Sequence, residues 1–360
     1  MRRRARADFA YGNARLRSRK RDLLSVEDLT RLVGKDVEGL LAALDATPYR
    51  SDVQLALTRH HGSRRMHEAI RLHLARSLEQ MRGFYDGCAR ELVDLLLSRF
   101  DVQNVLAVLR AQLGSARCGE QAMLAVVPMG WLSDPVAREI LRQQEPARAV
   151  TLLCRWSPDP GQAAALRTGY DEYERSHDLA ALDRSILADH YARLAAALER
   201  TGRDGQTLRR FVRETVDDTN LLTALRLRGA LERGEVAQLA LDGHLMPGGS
   251  VTAAQLASAA LGPASASDLA GLEGRRWQGP LDRWATTGDV PSLELQLEQA
   301  RASGATRLLS HGDPLSIDVP LAFSVALESE ARQLRLLTEA AVRGTEPDHV
   351  RHALFQPVSR

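Results

Sequence analysis

The chain has 360 residues, 44% of them hydrophobic, and a formal net charge of +2. That length allows one large domain or two to three small ones around a sizeable core, and the near balance of charge argues against a nucleic-acid binder, which carries a basic excess or stripe. Aromatics are only 4% and the apolar residues are mostly Leu, Ala and Val, so the predicted fold class is all-α.

Basic residues concentrate at the start. Over residues 1–21 the cations are Arg2, Arg3, Arg4, Arg6, Arg15, Arg17, Arg19, Lys20 and Arg21, against Asp8 alone. This local charge of +8 leaves −6 over residues 22–360. Two readings stand: a solvated helix face beside a frayed terminus, or a surface for phosphates, acidic lipids or an acidic protein.

Further along, helix signals follow one another. Ser25 before Val26-Glu27-Asp28 is an N-cap with acids in the first turn. Val102, Val105, Leu106, Leu109 and Leu113 form one helical stripe. Asp134-Pro135 reads as N-cap and first helical residue. Leu179, Leu182, Ile186 and Leu187 continue the pattern, and Asp217-Asp218 reads as another pair of first-turn acids. Asp289-Val290-Pro291-Ser292 opens a helix before Leu293. Breaks are expected at 128–130, 157–161, 202–205, 246–249, 302–304 and 311–314. No stretch reads as a strand.

Cys88, Cys118 and Cys154 have no CxxC spacing and no His at zinc-ligand distance, so no metal is expected. Few cysteines and no signal-like apolar region suggest a reducing, cytoplasmic setting. The longest apolar run, Ala122 to Leu132, is broken by Pro128 and Gly130 and is too short to cross a bilayer.

The most informative feature is internal repetition. Asn104-Val105-Leu106-Ala107-Val108-Leu109-Arg110 matches Asn220-Leu221-Leu222-Thr223-Ala224-Leu225-Arg226 at Asn, both Leu and Arg. Each copy has an aspartate upstream, Asp101 or Asp217 and Asp218, and a Pro and Gly turn downstream, and the copies lie 116 residues apart. A looser copy runs from Asn13 to Arg19, and a degenerate echo at Glu330 to Leu337 has Gln333 where Asn is expected. An Asn inside a Leu-rich helix is costly unless hydrogen-bonded. The repeated amide is therefore expected to hold a neighbouring helix end or loop, and the Arg an acidic group on another helix.

With these motifs in hand, the chain resembles the family of C subunits (also called d subunits) of A-type and V-type rotary ATPases. The likeness runs through Tyr11-Gly12-Asn13-Ala14-Arg15, Leu23 to Leu29, Leu40 to Leu44, Thr47-Pro48-Tyr49, Phe100 to Val105, Pro128-Met129-Gly130, Thr168-Gly169-Tyr170, Asp217 to Arg226 and Glu330 to Leu337. The resemblance implies three similar helical lobes in a pseudo-threefold, funnel-like arrangement, drawn at residues 1–130, 131–248 and 249–360. It implies a non-catalytic, peripheral subunit on the cytoplasmic side, one copy per complex. Its partners would be the central-stalk rotor subunits and the membrane proteolipid ring, and it would transmit torque for coupled ion transport. Arg2, Arg3, Arg4 and Arg6 become candidate contacts to acidic ring loops or lipid headgroups. The sequence departs from the family in its scarce aromatics, in Gln333, and in His60-His61.

No chemistry motif emerges. There is no GxxxxGK and no HExxH, and Gly248-Gly249-Ser250 reads as a turn. His67 and His73 share a helix face poorly, and His349 and His352 read as a solvated pair. No cofactor or catalytic residue is therefore expected. The rival reading is an unrelated helical scaffold for protein–protein contacts, which predicts a period near 35–45 residues rather than the 116 seen here.

Overall fold

The computed structural model describes residues 6–114, 119–233, 238–261 and 274–354. Arg2, Arg3, Arg4, Cys118 and the side chain of His352 lie outside the described residues. Among those described, every regular element is helical.

In chain order the α-helices are α1 (Ala10–Ser18), α2 (Val26–Leu32), α3 (Val37–Leu44), α4 (Arg50–Arg59), α5 (Arg64–Arg82), α6 (Gly87–Leu113), α7 (Gly119–Ala125), α8 (Asp134–Leu141) and α9 (Pro146–Trp156). They continue as α10 (Pro160–Ser176), α11 (Leu179–Glu199), α12 (Gln206–Arg226), α13 (Arg228–Glu232), α14 (Ala253–Leu261), α15 (Gly274–Thr287), α16 (Val290–His311), α17 (Asp318–Arg343) and α18 (Pro347–Leu354).

Contacts divide the chain into two compact units, residues 1–179 with 305–357, and residues 180–304. The lobe divisions expected at 130/131 and 248/249 follow the sequence repeat rather than contact density, and they stay a proposal. In the first unit α5 packs on α4 and α17, α6 on α7 and α9, and α1 on α17. Met66, Ile70, Leu74, Leu78 and Met81 make the buried stripe of α5 at helical spacing. Each such side chain taken out of water is worth about 2 kcal/mol. In the second unit Leu221, Leu225, Leu256, Trp277, Leu281, Leu293 and Leu297 form one buried cluster.

Local signals explain many of the helix starts. Ser25 Oγ accepts from Asp28 N at 3.1 Å while Asp28 Oδ2 accepts from Ser25 N at 3.0 Å, a reciprocal capping box. Asp289 Oδ1 accepts from Ser292 N at 3.2 Å, which caps α16.

Three expectations need correction. Asp134 is the first helical residue of α8, Ser133 being its N-cap. Asp217 and Asp218 lie in the middle of α12, which begins at Gln206, so they are buried anchors rather than first-turn acids. Residues 302–304 do not break the chain, for α16 runs through them. A lone Gly costs a helix only about 1 kcal/mol, which the packing of Leu293, Leu297, Ala305 and Leu309 outweighs.

Candidate functional site

The repeated asparagines sit at three buried fastening points. Asn104 in α6 donates from Nδ2 to Val127 O at 2.7 Å and accepts from Val127 N on Oδ1 at 2.8 Å. Asn220 in α12 does the same to Met246, at 2.9 and 2.7 Å. Both are almost fully buried, at 1% and 3% exposure. Each clamped residue precedes a proline, Pro128 or Pro247. Proline pushes the residue before it out of the helical region, so that residue's N–H and C=O have no intrahelical partners. A carboxamide carries one donor and one acceptor on a single plane and satisfies both groups at once.

An aspartate one turn upstream of each Asn holds the same loop four residues further on. Asp217 accepts from Ser250 N at 2.7 Å, Ser250 Oγ at 2.6 Å and Val251 N at 3.1 Å. Asp101 accepts from the backbone N–H of Trp131, and its Oδ1 is buried with no partner among the described residues. Burial pushes the Asp101 carboxyl up to about 6, against the pull of the Trp131 N–H. Both loops need glycine beside the carboxylate: a Cβ on Gly130 would run into Asp101, and one on Gly249 into Asp217. The repeated unit is therefore Asp-x-x-Asn on a helix and X-Pro-x-Gly-X on the loop it fastens.

The third asparagine works over a longer reach. Asn13 Nδ2 donates to Pro314 O at 2.8 Å and Ser316 O at 2.9 Å, and Oδ1 accepts from Tyr85 OH at 2.7 Å. The first residues of the chain thus hold the turn before α17. The basic segment contributes to the same fastening. Arg17 donates to Gly312 O at 3.2 Å and Lys20 to Ser310 Oγ at 2.8 Å. Arg15 lies over the Phe84 ring at 4.6 Å. Arg6 is exposed.

Among the motif arginines, Arg226 pairs with Glu294 of α16. Arg19 donates to Gln80 Oε1 at 2.6 Å, and Arg110 is exposed on α6. Gln333 makes no clamp. Its Nε2 is 3.5 Å from Ser329 Oγ and its Oε1 is buried without a partner among the described residues.

Sequence reasoning missed two further buried polar ties. Arg71, fully buried, donates to Glu68 at 2.9 Å through Nε and Nη2, to Asp134 at 2.5 and 3.0 Å, and to Val126 O at 3.3 Å. It grips the residue before the one that Asn104 clamps. The visible signal was a Glu–Arg pair three apart on the apolar face of α5. The second tie is Glu330 of α17, which accepts from Leu24 N and Tyr49 OH, both at 2.6 Å. Burial drives its carboxyl up to about 7 despite these two donors. Tyr49 stacks on His73 at 3.7 Å, and His73 Nδ1 lies 3.1 Å from Asp52. Burial favours a neutral Asp52, but the hydrogen bonds from His73 and Arg76 outweigh it and hold the carboxyl below its ordinary value.

These groups spend their hydrogen bonds on backbone and on one another, and they fasten rather than react. Among the described residues no group of three or more His, Cys, Asp or Glu is placed to hold a metal, and no helix is long and apolar enough to cross a membrane. The class so defined is an all-helical structural protein built on a duplicated polar clamp. The family profile of the "ATP synthase (C/AC39) subunit" matches residues 12–353, and the chain belongs to that family, whose members are non-catalytic ATPase subunits. It is 29% identical to the C subunit of the V-type ATP synthase of Thermus thermophilus, covering 97% of this chain and 99% of that one. It is 25% identical to the C subunit of the A-type ATP synthase of Haloferax volcanii, over 94% and 95% of the two chains. The same identity holds for the A-type C subunit of a Desulfurococcus species, over 95% and 89%. Full-length membership displaces the reading as an unrelated scaffold.

Proposed function

We propose that this chain is the central-stalk subunit that joins the rotor shaft of an A/V-type ATPase or ATP synthase to the membrane proteolipid ring and passes torque between them. The reading rests on the family match, which runs from residue 12 to residue 353. The clamps suit the task. A torque-bearing part must not let its loops slide past its helices, and paired buried hydrogen bonds to the backbone resist that motion more than apolar packing, which is non-directional. In this reading the lobes are 1–130, 131–248 and 249–360, pseudo-threefold and funnel-like. Asn104 marks the first and Asn220 the second, and Asn13 reaches the turn at 314–316 in the third. One copy per complex sits on the cytoplasmic face.

A pull-down of the tagged chain from detergent-solubilised membranes of its own host tests the assignment. Other rotary ATPase subunits should co-purify, and their absence overturns it. Charge reversal at Arg2, Arg3, Arg4 and Arg6 should weaken binding to the isolated proteolipid ring at low salt. Unchanged binding rejects that contact.

A further inference from the structure

His60 and His61 have no part in the clamps, yet they help to line an open cavity of about 710 Å3 together with Arg59, Arg64, Glu120 and Arg138. Its walls come from the end of α4, the start of α5, and α7 and α8. The volume falls in the range of small-ligand sites, roughly 300–1,000 Å3. The lining carries three guanidiniums and two imidazoles against one carboxylate.

The cations differ in what they do. Arg59 lies 3.3 Å from the buried carboxylate of Glu68, which orders it at the rim. Arg64 pairs with Glu120, whose side chain is 73% exposed. Arg138 is exposed, and its side chain, like that of His61, has no partner among the described residues. Glu68, Asp134 and Arg71 behind the wall together carry one negative charge, so the surplus of the whole region is only +1 with both histidines neutral. Long-range attraction is therefore weak, and the donors' directionality decides the ligand. Forked guanidiniums match the oxygens of phosphate. A carboxylate, with two oxygens, would leave several of these donors unused, whereas a phosphate group presents three or more.

We propose that this cavity binds a phosphate group, carried by a soluble polyphosphate or by a lipid headgroup, and that the ligand takes over Arg64 from Glu120. Isothermal titration of the full chain with inorganic tripolyphosphate at about 0.15 M salt, a concentration at which weak surface attraction is largely screened, should show saturable one-to-one binding. Arg138→Ala should weaken it about tenfold, the scale of one lost charge-assisted pair. Glu120→Gln, which frees Arg64, should tighten it about threefold. Sedimentation with phosphatidylcholine vesicles, with and without a phosphoinositide, separates the sources. Uptake by the phosphoinositide vesicles without tripolyphosphate binding assigns a lipid, and the reverse assigns a soluble ligand. Failure of both probes, or affinities untouched by both variants, overturns the proposal. Both substitutions are at exposed side chains, so loss of folding does not obscure the result.

Discussion

The two strict copies of the clamp share a frame and differ in what they offer the carboxylate. Where the Asp217 loop has Ser250, the Asp101 loop has Trp131. Ser250 supplies a backbone N–H and a hydroxyl, and Val251 adds a third donor. Trp131 offers its backbone N–H, and among the described residues one oxygen of Asp101 stays unpaired in the interior. A duplicated device thus kept its neutral amide clamp in both places, while its charged half is well supplied with donors in one and starved in the other. The amide tolerates such drift because all its needs are met by one backbone residue; the carboxylate depends on what side chain follows the glycine.

Breaking the amide clamps should have the largest effect. Asn220→Ala strands the buried N–H and C=O of Met246, at about 1–3 kcal/mol per group. Asn104→Ala strands the N–H of Val127, whose C=O keeps a bond from Met129 N at 2.7 Å. Urea unfolding should show Asn220→Ala less stable by about 3 kcal/mol and Asn104→Ala by about 2 kcal/mol. A larger loss for Asn104→Ala than for Asn220→Ala would mean that the Met129 bond does not hold the Val127 carbonyl. Next come the glycines. Gly130→Ala should cost about 2–3 kcal/mol, because it meets Asp101 and its φ of +68° is unfavourable for a side chain. Gly249→Ala meets Asp217 and presses on Val216 but has no left-handed φ, and it should cost less.

The pH dependence comes third. Asp101 and Glu330 hold their protons more tightly when folded, at about 6 and about 7 against ordinary values of 3.8 and 4.5. The stability they contribute is fully present below about pH 4, and it is lost as pH rises through about 6 for Asp101 and about 7 for Glu330. Glu330→Gln should flatten the fall in melting temperature between pH 4.5 and about 7. An unchanged slope would remove Glu330 as its source. The smallest effect sharpens the comparison most. At about pH 8, Asp101→Asn should be neutral or stabilising by up to about 1 kcal/mol, since it removes a charge from a starved site. Asp217→Asn should destabilise by about 1–2 kcal/mol, since it turns an amide N–H₂ toward donors. Equal signs for the two variants would show that the donor count does not govern the difference.

Much of this was legible in the sequence because it is local. The helical class followed from Leu and Ala with few aromatics, and the clamp helices from the shared Asn, Leu and Arg positions. The Pro and Gly turns were visible as well, but not that each Asn reaches the residue before the proline. That pairing spans 23 or 26 residues and depends on how the chain folds back. Asp217 was misread because its helix begins eleven residues earlier, at Gln206, without a side-chain cap to announce it. Glu330 and Tyr49, 281 residues apart, leave no local trace, since burial rather than spacing gives them their role.

The fastening of Asn13 also governs how the protein is made. Its partners Pro314 and Ser316 lie 301 and 303 residues downstream. At roughly 5–20 residues per second, synthesis of that interval takes about 15–60 s. Through that time α1 can meet Tyr85, but the turn it is built to hold does not yet exist. The Asn104 clamp needs only the next 23 residues and can close early. The Asn104 clamp can therefore close long before the Asn13 fastening, and α1, though made early, is locked in place late.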